Sequence, residues 1–196
     1  MRTEITPRQL EIIEAAGQLI TEDGYAKFTT KRLAERMQFS EPAIYRHFAS
    51  KEAILVGMLE HLTASVQERM AEVALREELP EPRLRAMFDS HFNYFKAHPQ
   101  YLMAIFASNF MEPSPATEAA NLGLMEVMRQ HLRAVIGDGQ KTGAFTKAIS
   151  ADMLVHIVMG TFRLHMLKWR ISGRGFDLTR KGRGLMDAVI SLISTK

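Results

Sequence analysis

The chain has 196 residues, 46% of them hydrophobic and 24% charged, which suits one globular unit or two small ones with a sizeable core and excludes a disordered chain. It has no cysteine, which excludes disulfides, thiolate zinc sites, Cys-ligated iron–sulfur clusters and a cysteine nucleophile. The net charge of +3 is too small to name a partner, and the most apolar run, Ala151 to Met159, falls short of the roughly 20 residues a membrane span needs.

The N-terminus, MRTEITPRQLEIIEAA, lacks the apolar stretch of a signal peptide, so a cytoplasmic protein without a membrane partner is expected. Apolar residues recur with period 3.6, and punctuation divides them into helices. Thr6, Pro7 and Gln9 form a complete start signal: N-cap, first-position proline and Thr-x-x-Gln capping box. Leu10, Ile13, Gly17 and Ile20 then share one stripe, and Gly24 supplies a stop. A second helix is predicted from about Lys31 to Met37, with Leu33, Ala34 and Met37 inward. Ser40 caps a third, with Pro42 in its first turn and Ile44 and Phe48 behind it. Ser50 caps a fourth that carries Ile54, Leu55, Met58, Leu59 and Leu62 and continues towards Leu79, where Pro80 and Pro82 end it.

Longer helices are predicted over 84–98, 100–111 and 116–136. A glycine-rich loop is predicted over 137–143, then a helix capped by Ser150 and running to about Ser172, then a last one over 178–194. No window alternates with period 2 for long enough to make a strand. The expected fold is all-α, about nine helices, with a small basic head and a larger body.

Charge is distributed unevenly. From Tyr25 to Lys51 six basic residues (Lys27, Lys31, Arg32, Arg36, Arg46, Lys51) stand against Glu35 and Glu41, and a second basic block runs from Lys168 to Gly184. In the first block two short helices are separated by Gln38-Phe39-Ser40, the spacing of a helix-turn-helix. The second helix of that motif enters the major groove, where a single helix fits. Its outer face here offers Glu41, Pro42, Ala43, Tyr45, Arg46 and His47, with Lys51 just beyond. Thr30 and Lys31 start the preceding helix and are placed to meet phosphates. A charged helical hairpin is also common in any all-α protein, so spacing alone leaves both readings open.

These residues carry a resemblance. From Gln9 to about Leu59, through IIEAAGQLITEDGY (Ile12 to Tyr25), FTTKRLAERM, IYRHF and SKEAIL, the chain resembles the TetR family of bacterial transcriptional regulators. The resemblance implies a helix-turn-helix DNA-binding domain in residues 1–50. It implies a ligand-binding and dimerising domain in 51–196, entered through the fourth helix. It implies Thr30, Lys31, Pro42, Ala43, Tyr45, Arg46, His47 and Lys51 as DNA contacts, with Ile44 and Phe48 in the core of the head. Two residues depart from it. Gln38 stands where the turn usually has glycine, at a cost on the order of 1 kcal/mol if its backbone is left-handed. Glu41 repels phosphate; it either accepts from a cytosine amino group or complements the helix dipole.

Enzyme readings find no support in the motifs. Gln140 occupies the second glycine position that a phosphate loop before Lys141-Thr142 requires. There is no His-Glu-x-x-His, and no two histidines lie four apart. No catalytic residue, metal or cofactor is expected. The body is rich in Met and Phe, residues that mostly fill cores but can also line an apolar cavity between helices. The pocket candidates are Phe88, His91, Phe92, Phe95, Met103, Phe106, Phe110, Met125, Met128 and Phe162. Asn93, Tyr94, Asn121 and Arg163 are candidate orienting groups beside His91. The helix from about 152 to 171 is apolar almost all round and needs a second burial partner. Together with the last helix it is expected to form a dimer interface through Val158, Phe162, Leu185, Val189, Ile190 and Ile193. The expected function is a homodimeric repressor released from a pseudo-palindromic DNA operator by a small apolar or amphipathic molecule. The alternative is a helical small-molecule-binding protein without specific DNA binding.

Overall fold

Thr6 starts the first helix with both halves of its capping box. Its side chain accepts from the Gln9 N–H at 3.2 Å, and the Gln9 side chain accepts from the Thr6 N–H at 3.0 Å. The computed structural model describes residues 5–76, 79–107 and 114–195. Among these the order is α1 (Pro7–Asp23), a 3-10 turn (Tyr25–Lys27), α2 (Thr30–Met37), α3 (Glu41–Tyr45), α4 (Lys51–Ala74), α5 (Pro80–Ala97), α6 (Pro99–Ala107), α7 (Pro115–Thr142), α8 (Ala151–Ile171) and α9 (Leu178–Ile193). The fold is all-α; the one β-type pairing among the described residues is a single bridge between Phe145 and Ser194. None of the described helices is long and apolar enough to cross a membrane.

Two boundaries differ from the sequence expectation, each for a local reason. α4 stops at Ala74, short of the expected Leu79, and Pro80 opens α5 instead of closing α4, since proline fits the first helical turn, where its missing N–H has no intrahelical acceptor to lose. The segment expected as a loop over 137–143 is helical, and α7 runs through Gly137 and Gly139 to Thr142. Phe145 is fully buried and folds back onto Gly139, where an added Cβ would lie 2.0 Å from the ring. That glycine makes room for a ring. The helix stops one residue before Gly143, whose φ of +81° an L side chain rarely adopts.

The chain packs as two units, residues 1–64 with 98–124 and residues 65–97 with 125–196; α4 and α7 each run through both. In the first, Ile12, Ile13, Ile20, Phe28, Leu33, Ile44 and Leu55 form the core of the three-helix head. α6 packs directly on α1, so closely that a Cβ on Gly17 would stand 2.6 Å from Gln100 Cγ. Near the start of α4 the Ser114 hydroxyl donates to the Glu52 carboxylate. In the second unit α5 and α9 make the main packing, and Gly182 on α9 lets the Phe92 ring lie where a Cβ would be 2.6 Å away.

The turn after α2 keeps its left-handed geometry without glycine. Gln38 has φ 56° and ψ 39°. Its N–H reaches the Glu35 carbonyl at 3.2 Å and the Phe39 N–H reaches the Ala34 carbonyl at 2.9 Å, the paired bonds of a Schellman stop. The strain is accepted in place and the turn is not rebuilt. Gln38→Gly is therefore expected to stabilise the protein by about 0.5–1 kcal/mol, the left-handed penalty less the added chain entropy of glycine. Urea unfolding checks this as a higher midpoint with an unchanged slope.

Candidate nucleic-acid interface and ligand site

The Schellman stop and the extended Ser40 turn the chain so that α3 leaves α2 as the second arm of a helical hairpin. Ile44, the inward residue of α3, has no exposed surface and ties the short helix to the head's core. Its outer side carries Pro42, Tyr45, Arg46 and His47, all exposed, with Ala43 and Glu41 half-buried. Tyr45 stands 46% exposed although its ring is large and apolar.

A three-member hydrogen-bond chain locks the two arms together. The Thr30 hydroxyl donates to the Glu41 carboxylate at 2.6 Å and lies 3.1 Å from the Tyr45 hydroxyl. Thr30 has one hydroxyl proton, already given to Glu41, so the Tyr45 hydroxyl is the donor in the second bond. Glu41 thus clasps the start of α3 to the start of α2. The sequence left two roles open for it, a base contact and a dipole partner, and the clasp is a third.

The basic residues divide into paired and unpaired sets. Arg32 bonds Asp23 at 2.6 Å and Arg36 makes a two-pronged contact with Glu22, both back to α1. Lys27, Lys31 and Arg46 are exposed and form no ion pair among the described residues. Lys31 on α2 and Arg46 just after α3 thus keep their charges free for a partner on the hairpin. Lys51 is held differently. Its ammonium donates to the Tyr25 carbonyl at 3.2 Å and sits 4.0 Å from the Tyr25 ring centroid and 5.5 Å from that of Phe28. Burial lowers its pKa; burial, with the Glu52 charge second, raises the Tyr25 phenol to about 12. The cage fixes the nitrogen at the head end of α4.

The body candidates divide between the units. Phe88, His91, Phe92, Phe95, Met125, Met128 and Phe162 belong to the second, and Met103 and Phe106 to the first; Phe110 lies outside the described residues. In the second unit the Phe88, Phe92, His91 and Phe162 rings lie together, with Phe162 5.3–5.6 Å from the other three. Met125 turns outward, 42% exposed. Of the polar orienting candidates, Asn93 is exposed, and its side-chain oxygen accepts from Thr179 at 3.5 Å. Among the described residues no group of three or more His, Asp or Glu is placed to hold a metal ion.

The stripe offered for dimerisation is phased differently from the sequence expectation. Val158 (0% exposed), Val189, Ile190 and Ile193 point into the protomer's own core, and Leu185 and Phe162 are half-buried. The uncovered apolar stripe of α8 is instead Met153, Ile157, Leu164 and Ile171, with exposed Gly160 between and exposed Leu192 on α9. Periodicity showed that α8 is apolar all round but could not say which side its own body takes.

His91, a pocket candidate in the sequence, is one of the few buried polar side chains among the described residues. It has no open surface, and burial, reinforced by the charges of Arg69 and His131, lowers its pKa from 6.5 to about 3. Between those values the unfolded chain binds a proton that the folded chain refuses, so stability must fall as pH falls. The limiting slope is about 1.4 kcal/mol per pH unit. Unfolding at pH 7, 6, 5 and 4 is expected to show a steeper loss in the wild type than in His91→Phe. Parallel curves would contradict the burial assigned to the ring.

The pattern of the family described as "Bacterial regulatory proteins, tetR family" matches residues 12–58, and that of "Tetracyclin repressor-like, C-terminal domain" matches residues 80–170. Over 193 residues, 97% of both chains, the sequence is 21% identical to the "Fatty acid metabolism regulator protein" of Bacillus subtilis (strain 168). It is 27% identical over 135 residues to the "HTH-type transcriptional repressor NicS" of Pseudomonas putida, covering 68% of this chain and 64% of that one. Its fold matches the regulator FadR from Bacillus subtilis, solved with stearoyl-CoA, at a TM-score of 0.82 and 18% identity, over 94% of this chain and 98% of that one. Both the head and the body thus match one family, and this chain belongs to the TetR family of bacterial regulatory proteins.

Proposed function

We propose that the chain is a repressor, acting as a homodimer on a pseudo-palindromic operator in double-stranded DNA and released from it by a small apolar or amphipathic molecule. In this reading residues 1–50 bind DNA, and 51–196 bind the effector and dimerise. The observation that carries it is the α2–α3 hairpin: a well-formed turn, an inward Ile44, and an outer face of Tyr45, Arg46 and His47 with unpaired Lys31 alongside. Arg46 and His47 are the base-edge readers, Tyr45 contacts bases or backbone, and Pro42 and Ala43 let the helix seat closely in the groove. Lys31, Lys51 and the first N–H groups of α2 hold phosphates. Thr30 and Glu41 contribute by holding α3 in register as well as by their own proximity to DNA. A regulator named for fatty acid metabolism and a related fold holding stearoyl-CoA support an amphipathic effector.

A ligand shifts the equilibrium only by binding the DNA-competent and incompetent states with different strength. Two elements are placed to transmit that difference. α4 begins at Lys51 and runs into the second unit, and α6 rests on α1 at Gly17. Movement of either changes the spacing of the two heads, which must match half-sites about 34–36 Å apart or a multiple of that. A thermal-shift panel of apolar and amphipathic molecules, followed by titration of each hit with and without operator, tests this. Coupling of about 1–3 kcal/mol is expected, with operator weakening the effector by the same factor as effector weakens operator. Equal effector affinity in the two titrations would rule the molecule out as the releasing signal.

A further inference from the structure

Among the buried hydrogen-bonding atoms of the second unit that meet no partner, one belongs to Arg69 and one to His91. Arg69 of α4 places Nε 3.3 Å from Ser65 Oγ, donates from Nη1 to Ser90 Oγ at 3.0 Å and lies 4.3 Å from the Tyr94 ring centroid. Its remaining nitrogen, Nη2, is buried without an acceptor. His91, the residue after Ser90, is fully enclosed; its Nε2 lies 2.8 Å from Met128 Sδ, and its Nδ1 is buried without a partner. A thioether sulfur only accepts, so the ring proton belongs on Nε2 and Nδ1 is a bare acceptor. Buried polar atoms are nearly always satisfied, and each exception calls for a cause. Here a guanidinium donor and an imidazole acceptor, on facing helices and close enough for the Arg69 charge to act on the ring, are unsatisfied together. The Phe88, Phe95 and Phe162 rings surround His91 at 5.6–6.5 Å.

We infer that Arg69 and His91 form the head-group anchor of the effector: Arg69 Nη2 holds an acidic oxygen of an amphipathic carboxylate, and His91 Nδ1 accepts from a hydroxyl or N–H carried beside it. The apolar tail of the molecule lies among the phenylalanine rings. This rests on the reading of the second unit as the effector domain. Ser65, Ser90 and Tyr94 position the guanidinium and leave one nitrogen free for the ligand. The His91 ring stays neutral near neutral pH, so it serves as an acceptor and adds no positive charge. A guanidinium fixed on three sides recognises a carboxylate oxygen by direction as well as by charge.

Calorimetric titration of the full chain with 3-hydroxydodecanoate, dodecanoate and methyl 3-hydroxydodecanoate tests the anchor. The hydroxy acid is expected to bind at least tenfold more tightly than its ester. Arg69→Met should bring the acid down to the affinity of the ester and leave the ester unchanged, and Arg69→Lys should lie between. His91→Phe should erase the advantage of the hydroxy acid over dodecanoate. Equal binding of acid and ester, binding of neither, or an Arg69→Met variant that holds the acid like the wild type would overturn the assignment. If Arg69→Met does not fold, the acid-against-ester comparison on the wild type decides alone. Operator release is read separately. An acid that binds through Arg69 but leaves operator affinity unchanged contradicts the repressor reading and not the anchor. Release by a neutral apolar molecule with the acids inert contradicts the anchor only.

Discussion

Alanine at both Tyr45 and Arg46 is expected to weaken operator binding by about 30- to 1000-fold, the equivalent of roughly 2–4 kcal/mol for two lost groove contacts. The effect should be large because both side chains are exposed on α3 while its inward residue, Ile44, is untouched. Folding should suffer little. Arg46 has no ion pair among the described residues, and Tyr45 gives up one hydrogen bond to Thr30, worth about 1 kcal/mol. Tyr45→Phe separates the terms, since it removes that bond and keeps the ring. Alanine at Lys31, an exposed phosphate-type contact, should instead weaken all sequences alike and flatten the salt dependence by about 0.9 per lost phosphate. Unchanged operator affinity in the double variant would refute the recognition-helix assignment.

Glutamate placed at two positions of α8 should have opposite consequences. Val158 is 0% exposed within the single chain, so Val158→Glu buries an unpaired carboxylate and should destabilise the protomer by about 3–5 kcal/mol or abolish folding. Leu164 is 54% exposed, on the stripe that its own chain leaves uncovered. Leu164→Glu should leave helix content intact and turn the dimer into a monomer at micromolar concentration, read by sedimentation. A dimer that survives Leu164→Glu would move the interface off this stripe. Operator binding should fall with dimerisation, because a single head contacts one half-site only.

Where the sequence was legible, the physics is local. The Thr6–Gln9 box, the Ser150 cap, the turn at Gln38 and the inward Ile44 all follow from residues within a few positions of one another. What escaped depends on contacts distant in sequence or on a choice between faces. Gly139 looked like loop because glycine is a poor helix former, and only the Phe145 ring explains it. The faces of α8 could not be ranked from a pattern apolar on every side. Glu41 looked like a lone acid beside a groove; its bond to Thr30 spans eleven residues and two helices. Arg69 went unnoticed altogether, since one arginine on a long helix has no signature until Ser90 and Tyr94 are seen to hold it.

The central claim is sequence-specific DNA binding through the α2–α3 hairpin, and fluorescence anisotropy at 0.15 M salt tests it most directly. The chain is titrated into duplex from upstream of its own gene and into a scrambled duplex of the same composition. The account predicts a saturable complex of one dimer per site, at least about a thousandfold tighter than the scrambled control. Equal affinity for the two duplexes would contradict it and leave a helical protein that binds small molecules.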